Sequence, residues 1–156
     1  MSLKRENILQ QYDDFIHWGK TLRNVSEQQW LEPVEEGKWS TAEIVGHLTA
    51  WSSMLLENRL ELFKPGHTLK VFTKNAEDVN TEAADSARNQ FSQSELMNRY
   101  IQINTRIKHK LELIPEAHYS SSFYIGKNEL TLSSYMQGII QHEQHHQKQI
   151  NTFIHA

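Results

Sequence analysis

SQSELMNRYIQINTRIKHKLELIP, residues 92–115, holds the clearest structural signal in the chain. Ser92 and Glu95 stand at capping-box spacing, in which the serine oxygen accepts from the third helical amide and the glutamate reaches back to the serine amide. Leu96, Tyr100, Ile103, Ile107, Leu111 and Ile114 then recur every three or four residues until Pro115 ends the run. This period places one apolar stripe along a long helix, which must be buried against other helices or a sheet.

The same pattern recurs on both sides of it. Ile8, Tyr12, Phe15, Gly19 and Leu22 predict an amphipathic helix from about residue 3 to residue 24. Residues 26–39, SEQQWLEPVEEGKW, read as a connector that opens on a weaker helix-start signal, Ser26-x-x-Gln29. Ser40-Thr41-Ala42-Glu43 repeats the capping box and predicts a second long helix up to about Phe63, stopped by Pro65-Gly66. Residues 64–91 keep no sustained period and are assigned no fixed structure, and a loop that long inside a domain usually carries function or short helical turns. Residues 119–130, YSSSFYIGKNEL, alternate around Tyr124 and turn at Gly126, the mark of a brief extended excursion. From about Thr131 the chain is helical again, with Leu132, Met136, Ile139, Ile150 and Phe153 inward. Four long amphipathic helices, with long links after the second and third, predict an all-α four-helix bundle.

Composition agrees. Gly and Pro together supply nine of 156 residues, about half their average usage, which disfavours turn-rich sandwiches, barrels and Gly-rich phosphate cradles. A chain of this length can bury a core without staples, and one domain over residues 1–156 is expected. The 16 basic residues are scattered among 19 acidic ones, which is no nucleic-acid footprint. No apolar run approaches a membrane span and no apolar segment follows the charged start, so the expectation is a soluble, unexported, cytoplasmic protein. With no cysteine, any metal site must use histidine and carboxylate.

Nine histidines over 156 positions put about 0.3 in a random five-residue window, yet residues 142–146 hold three. His142 and His146, four apart, lie one above the other on a helix, the spacing at which two imidazoles chelate one ion. On a helical wheel both fall on a flank of the apolar arc, whereas His145 turns about 60–100° toward solvent. His47 sits among Ile44, Trp51 and Met54 and should also face the interior. Three inward histidines exceed what a core normally tolerates, and three neutral imidazoles with one open position make the donor set of a catalytic metal site. Glu143 falls within the apolar arc and either pairs locally, is exposed by helix rotation, or is the candidate hydrogen-bond acceptor or general base beside that site; Gln149, three residues after His146, could hydrogen-bond within the helix in a structural role. His17, His67, His109, His118 and His155 read as surface residues, most tryptophans as core or helix-packing residues, and Trp51 as a wall of the site. No nucleophile elbow, P-loop or dinucleotide fingerprint is present.

The run from Gly37 to Leu48 (GKWSTAEIVGHL), with Asp78-Val79-Asn80 and the ending Leu130-Thr131-Leu132 to Gln141–Ile150 (QHEQHHQKQI), resembles the DinB-like (YfiT-like) metalloenzymes. Across essentially the whole chain the order and spacing of these pieces are similar to that family's. The resemblance implies a four-helix bundle, often a homodimer, in which a divalent ion such as zinc or nickel is held by His47, His142 and His146. It further implies chemistry on a small-molecule electrophile: characterised relatives include S-transferases that use bacillithiol and isomerases that use mycothiol, in which the metal activates a low-molecular-weight thiol. No thiol-binding residue of those enzymes maps onto this chain. The expected activity is therefore a metal-dependent thiol transferase, with a hydrolase using water, or a non-catalytic metal-binding or stress-associated protein, as the alternatives.

Overall fold

A computed structural model describes residues 3–156. Four long helices form the bundle: α1 (Arg5–Thr21), α3 (Thr41–Leu55), α5 (Gln93–Leu113) and α6 (Leu132–Ile154), with a short α2 (Glu27–Leu31) and a further α4 (Ala76–Asn89) between them. The capping boxes are formed as the sequence predicts: Ser26 with Gln29, Ser40 with Glu43 and Ser92 with Glu95 each exchange both hydrogen bonds, and Thr131 does the same with Ser134 at the start of α6.

The α5 stripe is buried along its length and joins two apolar clusters stacked along the bundle. One gathers Ile8, Tyr12, Phe15, Leu60, Ile107 and Met136; the other gathers Leu22, Trp30, Ile44, Leu48, Tyr100 and Ile150. Gly19 makes room on α1 for the Tyr100 ring, since a Cβ there would stand 2.8 Å from Cδ2 of that ring.

Three details depart from the sequence reading. The first helix ends at Thr21 and tightens into a 3₁₀ turn at Leu22–Asn24. The second ends as an α-helix at Leu55 and widens into a π turn over Leu56–Leu60, with the Glu61 amide donating to the Leu56 carbonyl at 2.9 Å. The largest correction falls on residues 64–91, which are ordered: β1 (Thr68–Leu69) pairs in parallel with β2 (Ser122–Ile125), which pairs antiparallel with β3 (Asn128–Thr131), and α4 then packs on α3. The α4 helix begins at Asn75, whose side chain accepts from the Glu77 amide, and its buried residues are Val79, Ala84 and Ala87. A face made of alanine and one valine carries little hydrophobic contrast, so its period is hard to see, but it allows close approach. At Gly46 a Cβ would stand 2.9 Å from both the Ala83 carbonyl oxygen and the Ala87 Cβ. This contact lays α4 directly over the turn of α3 that carries His47.

Among the described residues, no helix is long and apolar enough to cross a membrane.

Candidate metal centre

The three histidines chosen from the sequence meet in space. His47 from α3 is buried, His146 from α6 is half-buried and His142 from α6 is exposed at the cavity mouth, and one ring nitrogen of each lies within 4.8 Å of the others. The Nε2 of His142 stands 3.5 Å from that of His47 and 3.2 Å from that of His146. A four-coordinate ion with metal–nitrogen bonds of ~2.0–2.1 Å separates neighbouring nitrogens by about 3.3 Å, so the spacing already suits one. His145 lies outside the cluster and is exposed. Of the other histidines, His17, His67, His109 and His155 are exposed and His118 is half-buried.

The outer nitrogens fix which protons are where. Asn80 Oδ1 accepts from Trp51 Nε1 at 2.7 Å, and because an indole nitrogen only donates, that atom of Asn80 must be the oxygen. The same oxygen lies 2.9 Å from His47 Nδ1, which therefore carries the proton and leaves Nε2 as a lone pair facing the centre. On α6, Gln149 Oε1 stands 2.8 Å from His146 Nδ1, the bond within the helix that the sequence allowed, and with the amide in this orientation His146 takes the same tautomer. Two acceptor nitrogens thus face His142 Nε2, which can supply at most one proton between them. A donor set short of protons, with its rings oriented from behind by amide oxygens, fits a cation.

Electrostatics favour the neutral rings that a metal binds. Burial pushes His47 down to about 4; the Asn80 bond works against that, while His146 and His142 add to it. His146 and His142 are also lowered, again chiefly by burial. Glu143 is buried one residue further along α6 and accepts from the Tyr100 hydroxyl, which in turn accepts from Gln147 Nε2 at 3.1 Å. Burial raises its carboxyl to about 7 against the opposing effect of the Tyr100 and Gln147 bonds.

His47, His142 and Glu143 open into a cavity of about 370 Å³ between α3 and α6, whose other walls include Trp51, Leu55, Phe72, Tyr135 and Ile139. Trp51 is a wall as expected, Trp39 packs 5.1 Å from His47 on another side, and Trp30 is core. Asn80, Tyr100 and Gln147 are the polar residues whose roles sequence reasoning missed. The Asp78-Val79-Asn80 likeness was the one signal for Asn80, and without α4 nothing connected it to His47.

A model of the DinB superfamily matches residues 11–150. The chain belongs to the DinB superfamily. Two solved structures share its fold at low identity. YfiT from Bacillus subtilis, a probable metal-dependent hydrolase with an unusual four-helix bundle topology, superposes with a TM-score of 0.75 at 16% identity, over 96% of this chain and 85% of that one. The mycothiol-dependent maleylpyruvate isomerase superposes with a TM-score of 0.65 at 14% identity, over 95% of this chain. This DinB-superfamily chain spans 61% of that isomerase, less than two thirds of its length. No curated protein matches the sequence.

Proposed function

We propose that this DinB-superfamily protein is a metal-dependent enzyme in which His47, His142 and His146 hold one divalent cation, zinc or nickel, and that it transfers a low-molecular-weight thiol to a small electrophile. The observation that carries this reading is the convergence of three Nε2 atoms, two of them acceptors, at the mouth of an apolar cavity. A divalent ion there would lower the pKa of a coordinated thiol or water and so supply a nucleophile near neutral pH.

The chain's own residues supply the rest. Asn80 and Gln149 hold the imidazoles in one tautomer and orientation, so no reorganisation is needed when the site is filled. Trp51, Leu55 and Ile139 keep water from the cavity and bind the apolar body of the substrate. Glu143, on the cavity wall beside His142, is placed to accept a proton from the incoming nucleophile. That carboxylate also favours the second reading, hydrolysis, in which water is the nucleophile and Glu143 its base.

The first test is elemental analysis of tag-free, chelator-washed protein, wild type beside His47→Ala, before and after zinc, nickel, manganese or iron is returned. About one equivalent in the wild type and none in the variant is the expected result. No metal under any condition would overturn the reading. Turnover of electrophiles with and without an added thiol then separates transfer from hydrolysis.

A further inference from the structure

The π turn after α3 buries a cation. Arg59 is 4% exposed, and among the described residues no carboxylate lies within 4.0 Å of its guanidinium. Nη1 donates to the carbonyls of Asn58 at 3.0 Å and Lys70 at 2.9 Å, while Nε is buried with no partner. The guanidinium carbon stands 4.0 Å from the centre of the Phe72 ring. It also sits beside the Tyr135 hydroxyl, whose pKa burial raises and Arg59 draws back down. Breaking up a buried charge pair, or burying a charge without one, is strongly destabilising, so an Arg kept here with carbonyls, a ring and a hydroxyl but no carboxylate calls for an explanation. π turns concentrate at functional sites for the same reason: they place a side chain where a regular helix would not.

Phe72 and Tyr135 both line the cavity that opens at the histidines. Tyr135 and His142 are seven residues apart on α6, and Leu55 and His47 are eight apart on α3, so the cavity is a slot of about 10–12 Å along both helices. The histidines stand at one end and Tyr135 at the other, with Arg59 outside the lining and stacked on Phe72. Trp51, Ile139 and Leu55 make the stretch between them apolar. A guanidinium only donates, so Arg59 leaves the Tyr135 hydroxyl proton available, and the cation beside it makes that hydroxyl a better donor.

Building on the enzyme reading above, we infer that the small molecule filling this slot carries an anionic oxygen group, a carboxylate or its equivalent, at the end remote from the histidines. Tyr135 donates to that group, and Arg59, behind Tyr135 and Phe72, supplies the compensating charge. The substrate class is then an elongated molecule with a reactive centre at one end, an apolar body of about 8–10 Å and an acid at the other, its length set by the helix rise of the slot.

The test separates this inference from the metal reading by measuring binding with the metal end blank. Full-length, chelator-treated His142→Ala protein is titrated calorimetrically with 4-phenylbutanoate and with its primary amide. The acid should bind at least about tenfold more tightly, the scale of a charge-assisted hydrogen bond in a screened cavity. Arg59→Met should erase that preference, Arg59→Lys should keep most of it, and Tyr135→Phe, which alters no packing volume, should reduce it severalfold. A second arm loads wild-type protein with zinc and compares 6-mercaptohexanoate with 6-mercaptohexanamide. A preference there alone assigns the anionic group to the thiol, and one in the first arm assigns it to the electrophile. Equal binding of acid and amide in both arms overturns the inference and leaves the metal site untouched, as does a preference that survives Arg59→Met. If Arg59→Met does not fold, an undiminished preference in Tyr135→Phe overturns it. Loss of metal binding with the acid preference intact would instead remove the enzyme reading alone.

Discussion

Two polar groups of residues lie side by side on α6, one residue out of step. His142 and His146 face α3, while Glu143 and Gln147 face Tyr100 on α5. Both pairs have i, i+4 spacing; Glu143 is buried, while His142 is exposed at the cavity mouth and His146 is half-buried, and the pairs also differ in their proton count. In the second group Gln147 donates to Tyr100, Tyr100 donates to Glu143, and the buried carboxylate is satisfied. In the first, two imidazole acceptors face a third that can offer at most one proton. Buried polar groups ordinarily find partners. The balanced cluster therefore needs no ion to complete its hydrogen bonds, whichever further role Glu143 has at the cavity wall, and the unbalanced one has room for a cation.

The largest effect should come from breaking the unbalanced cluster. His142→Ala or His146→Ala should abolish stoichiometric metal binding, while His145→Ala, one step around the helix, should retain about one equivalent. Metal analysis after chelation and reloading checks this, and equal loss from all three would dissolve the contrast between the two clusters. Next in size is the support behind the ligands. Asn80→Ala leaves the three imidazoles in place but frees His47 to rotate and change tautomer, which should weaken metal affinity by ~10–100-fold in a competition titration with a chromophoric chelator. An unchanged affinity would mean that α3 packing, not Asn80, orients the ring.

Tyr100→Phe attacks the balanced cluster instead. It keeps the ring that fills the space beside Gly19 but removes the donor to Glu143, leaving a buried carboxyl with one partner fewer. The cost should be about 1–3 kcal/mol in urea unfolding, with the metal content unchanged. Metal lost in proportion to stability would show that the clusters are one network and not two.

What the sequence disclosed follows the same division. The triad was legible because a histidine at the edge of a strong apolar arc has only one direction to face; Ile44, Leu48 and Trp51 set that arc for His47, and Ile139 and Ile150 set it for His142 and His146. Asn80 was hidden because α4 buries alanines, whose contrast with their neighbours is too small to define a face until Gly46 is seen to receive them. Arg59 was hidden by a different mechanism. A wheel drawn at 100° per residue assumes a regular helix, and the π turn at Leu56–Leu60 breaks that assumption where the arginine enters the core. The balance of protons, which distinguishes the two clusters, is a property of pairs of atoms on different helices, and no periodicity in one helix encodes it.

The smallest effect concerns a place where both levels agree. Ser92 and Glu95 close the box that starts α5, and hydrogen bonds from the Ser92 backbone and side chain hold the Glu95 carboxyl below its ordinary value of 4.5. A carboxyl depressed in the folded state binds fewer protons there than in the unfolded chain, so its contribution is complete above about 4.5 and is lost as pH falls through the lower folded value. Glu95→Gln keeps the reach to the Ser92 amide without the charge, and should flatten the acid limb of the stability curve slightly while leaving stability at pH 7 nearly unchanged. Ser92→Ala removes the cap itself and should lower stability across the whole range by about 1 kcal/mol. Neither variant should alter metal content, because Ser92 and Glu95 belong neither to the histidine cluster nor to the lining of its cavity. If Glu95→Gln changed metal affinity, the helix ends would be coupled to the site through the α5 stripe, and the line between the two clusters would have to be drawn around α5 as a whole.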